Sequence, residues 1–198
     1  MTEKTYILGA DPGKKGAIVL LSSRYDPTVI ERDDIILFPT RTDKSGNIDV
    51  VGTFAFLQEY KDKIELCCME QVHAFGVGKS SAQATFGFGH AVGTLQTMLQ
   101  LLEKPVLTVT PPTWQKYVWK PKHIVYEESS NKGMEAKKKR DTKATSLNAA
   151  HDIFPGVSFV PTKRATKEHD GCVDAALIAR YGLLAFKGVI SLGSAIYL

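Results

Sequence analysis

Residues 6–21, YILGADPGKKGAIVLL, decide the fold. Two short apolar runs, Tyr6-Ile7-Leu8 and Ala17 to Leu21, flank a connection rich in glycine, which is the pattern of a β-hairpin. The first strand ends on a charged residue, Asp11. Asp-Pro-Gly is ordinary turn chemistry, so this acid has two readings. It is either a turn former or a carboxylate that a buried strand delivers to a metal site.

The rest of the chain bounds the choice. With 198 residues, 43% of them hydrophobic and 23% charged, one domain over 1–198 can build its own core. No apolar stretch approaches the roughly 20 residues of a membrane span. The N-terminus has no basic region followed by an apolar core. The expectation is a cytoplasmic protein. Cys67, Cys68 and Cys172 are odd in number, two of them adjacent within an apolar run. They lack metal-binding spacing and read as core residues in a reducing compartment. The net charge is +4, but residues 114–143 hold nine Lys or Arg against four acids, so the remainder is close to neutral. A concentrated basic stretch on a near-neutral body points to a polyanionic partner; a solvated loop is the plain alternative.

Along the chain, 34–38 reads as a third strand and 64–69 as a fourth, buried on both faces and ending on Glu70. A helix capped by Asn47 or Asp49 lies between them. Residues 72–82 read as a loop. A helix over about 83–103 follows, with Phe88, Val92, Leu95, Leu99 and Leu102 as its apolar stripe. Its Gly87, Gly89 and Gly93 imply close approach by another helix or a nucleic-acid backbone. A fifth strand spans 105–109, and Pro111-Pro112 opens a short helix. Residues 120–138 show no element and form part of a basic loop insertion at about 120–141. Helices over about 142–154 and 167–186 close the chain. The expected architecture is α/β: a mixed five-stranded sheet, three antiparallel strands continued by parallel ones, flanked by helices.

The last helix carries HDGCVDAA at 169–176. Asp170 and Asp174 are four apart and share one helix face. Like charges there repel unless a cation or a proton relieves them. The helix dipole explains Asp170 in a first turn better than it explains Asp174. One acid ends the first strand, one ends the fourth, and two lie on a late helix. Such a set suits hard cations, which take oxygen ligands. Two ions about 4 Å apart can activate a water and stabilise the leaving oxygen in phosphodiester cleavage.

In order and spacing, GADPGKKGA, CCMEQ, VTPPTWQKYV and HDGCVDAALIARYG resemble the RuvC-type Holliday junction resolvases of the ribonuclease H-like superfamily, and within it the phage and chloroplast branch. The resemblance covers most of 5–186 and implies a ribonuclease H-like fold. It implies Asp11, Glu70, Asp170 and Asp174 as catalytic metal ligands for Mg²⁺, with Mn²⁺ as a substitute and two ions per site. It further implies paired symmetric nicking of four-way DNA junctions by a homodimer, with the glycine-bearing helix at the interface; a phage origin fits this branch. Some relatives space the final acids three apart, and position 171 here is glycine. That leaves open whether Asp170 alone fills its role or His169 shares it. Lys79 and Ser80, just after Glu70, are candidate phosphate contacts. Phe75 is a candidate wedge or an exposed loop aromatic. Lys137, Lys138, Lys139 and Arg140 are the candidate DNA-binding run, and Trp114 and Trp119 read as packing residues.

VGKS at 77–80 is not a P-loop, because His73 stands where that motif needs a glycine. Sugar kinases and actin-like ATPases also open on an Asp-x-Gly hairpin, but need two such domains. Two rivals remain: a ribonuclease H-like nuclease acting on RNA hybrid or on branched or duplex DNA, and a non-catalytic DNA-binding protein with structural acids.

Overall fold

A computed structural model of the chain describes residues 3–13, 15–29, 31, 33–43, 47–72, 81–127, 139–160, 165–191 and 196–197. The assignments made to Phe75, Lys79, Ser80, Lys137 and Lys138 fall outside these residues.

The opening hairpin forms as its pattern requires: β1 (Tyr6–Asp11) runs antiparallel to β2 (Ala17–Ser22), and β2 to β3 (Ile35–Pro39). On its other side β1 pairs in parallel with β4 (Ile64–Glu70), and β4 in parallel with β5 (Val106–Val109). This is the expected mixed five-stranded sheet. Two short features escape any periodicity argument. A ribbon of β6 (Val125–Tyr126) and β7 (Arg140–Asp141) joins the two ends of the basic segment. A two-residue strand, β8 (Ile196–Tyr197), adds antiparallel to the β5 edge. Five α-helices complete the described residues: α1 (Val50–Tyr60), α2 (Ala82–Gln100), α3 (Pro111–Val118), α4 (Thr142–Ile153) and α5 (Asp170–Phe186). None of them is long and apolar enough to cross a membrane.

Alternation along the strands divides the core in two. Leu8, Ala10, Ile18, Leu20, Cys67 and Met69 pack with α1 and α2. Ile7, Val19, Leu21, Leu66 and Cys68 pack on the other face, with α5. The β1–β4 ladder slips once: Tyr6 faces Ile64, but Ile7 faces Leu66. Glu65 is therefore bulged out, and the slip aligns Ala10 with Met69. Residue 11 then neighbours residue 70, on the α5 face of both strands.

α5 is the buried spine. Leu177, Ile178 and Leu183 are fully buried, each worth about 1.5–3 kcal/mol relative to exposure. The helix lies so close to β1 that a methyl group on Gly9 would collide with the Ala175 carbonyl and the Ala179 amide. It starts at Asp170, three residues later than the apolar pattern predicts, because the His169 side chain caps it: Cys172 N donates to Nδ1 at 3.2 Å. Cys67, Cys68 and Cys172 are free and buried, as core residues should be.

α2 departs from its predicted stripe. Leu95, Leu99 and Leu102 are buried with Ala91 and Met98, whereas Phe88 and Phe86 are exposed, Phe86 at 77%. The core begins only at Ala91, so the first turns of α2 stand free of it. Gly89 and Gly93 have open space where a methyl would go. They do not serve close packing against any described part of this subunit.

Candidate active site

Asp11 and Glu70 end adjacent parallel strands on the α5 side of the sheet. Asp170 occupies the first position of α5, and Asp174 sits one turn on. Gly171 lets that first turn press onto the hairpin: an added Cβ would lie 2.5 Å from the Lys15 carbonyl oxygen and 2.8 Å from Gly16 Cα. The glycine that breaks the expected motif is thus the residue that brings α5 to Asp11.

The carboxylates sense one another. Burial raises Asp11 well above the usual carboxylate range, and Asp174, Glu70 and Asp170 reinforce the shift in that order. Burial pushes Glu70 up to about 7, the Trp114 hydrogen bond opposing it and Asp174 adding to it. Burial likewise pushes Asp174 up to about 6; the Ser146 hydroxyl and Lys143 oppose the shift, and Asp170 adds to it. Asp174 Oδ1 is buried with no hydrogen-bond partner among the described residues. An orphaned buried carboxylate oxygen amid like charges is costly. It is also the kind of donor that a hard cation takes. The side chains are nevertheless not a ready-made cage. Among the described residues, no three His, Cys, Asp or Glu are placed to hold a metal ion.

Asp170 is less committed to the cluster. Its side chain is 60% exposed and pairs with Lys143 Nζ at 2.5 Å. A pair this exposed contributes about 0–1 kcal/mol, so a cation or a phosphate can displace it. Lys143, Ser146, Asp170 and Asp174 line one cleft of about 400 Å³. Asp11, Gly13, Lys15 and Phe88 line a second of about 560 Å³ between the hairpin turn and α2. His169 uses Nδ1 as an acceptor for the α5 cap, which leaves only Nε2 for any other task. Burial lowers its pKa, in keeping with a neutral ring.

The sequence did not mark Trp114, Lys143 or Ser146 as parts of this site. Trp114 is buried, as a packing residue is, yet its Nε1 donates to Glu70 Oε2 at 2.8 Å. The partners lie 44 positions apart in sequence, and only the fold joins them. Lys143 counted merely as one charge in the basic stretch. Of the proposed DNA-binding run, Lys139 pairs with Glu127 across the ribbon at 2.7 Å. Arg140 lies over the Trp119 ring, 5.5 Å from its centroid.

No protein-family model matches the chain, and no curated protein matches it either. Solved structures do. Thermus thermophilus RuvC in complex with Holliday junction substrate aligns with 98% of this chain and 99% of its own at 14% identity and a TM-score of 0.53. A second Thermus thermophilus RuvC structure aligns with 98% of this chain and 100% of its own at 17% identity and a TM-score of 0.50. The chain therefore has a RuvC-like fold over essentially its whole length.

Proposed function

We propose that this protein is a metal-dependent endonuclease that resolves four-way DNA junctions by paired nicks as a homodimer. One observation carries the reading: β1, β4 and α5 bring Asp11, Glu70 and Asp174 to one face of the sheet, where burial and mutual repulsion raise all three. A structural role for these acids offers no return for that cost. The RuvC-like fold supports the substrate class, because one neighbour's structure holds a Holliday junction.

Asp11, Glu70 and Asp174 would hold the divalent ions, with Asp170 completing the set. Bound there, such ions supply an activated water and charge stabilisation of the leaving oxygen. The chain's own residues do the rest. Trp114 fixes one oxygen of Glu70. Ser146 lines the cleft with Asp174 and favours its charged form. Lys143 holds a positive charge at the mouth of the cleft beside Asp170, where a phosphate can exchange for the carboxylate. Incubation of purified protein with Mg²⁺ and a four-way junction, a linear duplex or an RNA–DNA hybrid tests the reading. Selective junction cleavage is the expected result. Preference for the hybrid would favour a different ribonuclease H-like activity, and binding without cleavage would favour a non-catalytic DNA-binding protein.

Removing Lys137, Lys138, Lys139 and Arg140 together as alanines should weaken junction binding and flatten its salt dependence. Each lost phosphate contact lowers the log–log slope by about 0.9. An unchanged slope in a salt titration would show that the run is a solvated loop.

Two nicks on opposing strands, with one site per chain, imply a twofold pair. The glycine face of α2 is the proposed contact. It borders a groove of about 520 Å³ with Val50, Phe54, His90 and Leu101, beside exposed Val51. Open space at Gly93 removes overpacking within the subunit as a competing outcome. Gly93→Leu should shift sedimentation toward monomer with little change in the monomer's melting temperature. A variant that stays fully dimeric would place the interface elsewhere.

A further inference from the structure

The geometry points to Trp114 as a positioning residue for Glu70, and to Trp119 and Arg140 as the connection that makes it responsive to a polyanion bound at the root of the basic segment. The catalytic part rests on the nuclease reading above; the contacts do not.

Four groups line up. Glu70 accepts from the Trp114 indole. Trp114 meets Trp119 edge-on, with ring centroids 5.9 Å apart and planes at 78°, a geometry that aromatic pairs favour. The Arg140 guanidinium covers the Trp119 face, a cation–π contact. Arg140 is exposed and begins β7, where the chain returns from the basic segment. Asp141, the next residue, caps α4 by accepting from Ala144 N at 3.0 Å, which fixes where that strand ends.

Each link has a reason to move with its neighbour. Trp114 is 1% exposed and donates the one side-chain hydrogen bond to the Glu70 carboxylate among the described residues. The Trp119 indole nitrogen is buried with no hydrogen-bond partner among those residues. Besides its packing against the core, that ring meets the Trp114 edge and the Arg140 cation. A phosphate that draws Arg140 away uncovers Trp119, whose edge bears on the ring that holds Glu70. The setting of Glu70 is thereby linked to whether DNA occupies the basic ribbon.

Full-length protein labelled with ¹⁵N-tryptophan tests this. Its two tryptophans give two indole N–H signals, assigned with Trp119→Phe. Glu70→Ala should shift the Trp114 signal, and a four-way junction added in EDTA should shift both. Arg140→Gln should remove the DNA-induced shift at Trp114. Trp114→Phe should lower kcat by about 10–100-fold, the usual cost of losing a partner that orients a ligand, with junction Kd unchanged. An unmoved indole signal in Glu70→Ala, or a Trp114→Phe enzyme with wild-type kcat, overturns the positioning role. DNA that shifts Trp119 alone overturns the connection. A wild-type protein that binds junctions but never cuts them overturns the nuclease reading, while the Glu70→Ala measurement, which alters neither tryptophan, still decides the contact.

Discussion

Asp11→Asn is expected to abolish junction cleavage, by roughly 10³-fold or more, since removing one ligand charge forfeits several kcal/mol of transition-state stabilisation. Junction affinity measured without divalent ion should stay within about twofold, because binding draws on the basic surface. The same variant should be more stable than wild type in EDTA. Asp11 is a half-buried acid raised first by burial and then by three neighbouring acids, and a neutral isostere relieves both while keeping the shape. Cleavage lost and urea midpoint raised, in one variant, is the signature of a site held under electrostatic strain for function. Near wild-type cleavage in Mg²⁺ would sink the assignment of Asp11. A lowered midpoint would show that the carboxylate supports the fold.

The second large effect is on stability against pH. Glu70 and Asp174 are raised to about 7 and about 6 from ordinary values of 4.5 and 3.8. Between those values the folded chain holds protons that the unfolded chain has released, so stability falls as pH rises. For Glu70 alone the difference amounts to roughly 3 kcal/mol. Metal-free protein should therefore be more stable at pH 5 than at pH 8, the reverse of what paired carboxylates produce. Asp26 and Asp152 are lowered, and their opposing effect falls below about pH 4. His169, lowered by burial from 6.5, opposes inside this window and reduces the net fall without reversing the two carboxylates. Mg²⁺ should restore stability at pH 8 far more than at pH 5, because only the ionised cluster binds it and binding to the folded state alone stabilises. Urea melts at the two pH values, with EDTA and with Mg²⁺, give four numbers. Equal stability in EDTA at both pH values would remove the coupled cluster from the account.

Much of this was legible in the chain because it depends on local pattern. The hairpin around Asp11, the apolar run that ends on Glu70, and the acids four apart at 170 and 174 each announce themselves within a few residues. The mixed make-up of the sheet, three antiparallel strands continued by parallel ones, followed from the succession of strands and helices. What stayed hidden depends on non-local geometry. Nothing near Trp114 names Glu70 as its partner. The β6–β7 ribbon has two residues per strand, too short for any alternation. The start of α5 was set by the His169 ring acting as a cap, an uncommon choice beside Ser, Thr, Asp or Asn. The apolar stripe predicted for α2 assumed a helix packed along its length, whereas its first turns stand free of the core and leave Phe88 exposed.

The bulge at Glu65 has a bearing on how this protein can change. Side chains on a strand obey parity: odd and even positions look opposite ways, and one extra residue exchanges them. Were Glu65 paired opposite Ile7 in an unbroken ladder, Met69 would stand beside Asp11 and Glu70 would be out of step with it. The carboxylate site thus depends on a count as well as on a composition. Loss of Glu65 itself would regularise the ladder and leave Glu70 beside Asp11, but with the Ile7–Leu66 pair kept, loss of one residue between Leu66 and Glu70 would turn Glu70 away from its partners. Length variation in such a lineage should collect outside the segment from Leu66 to Glu70.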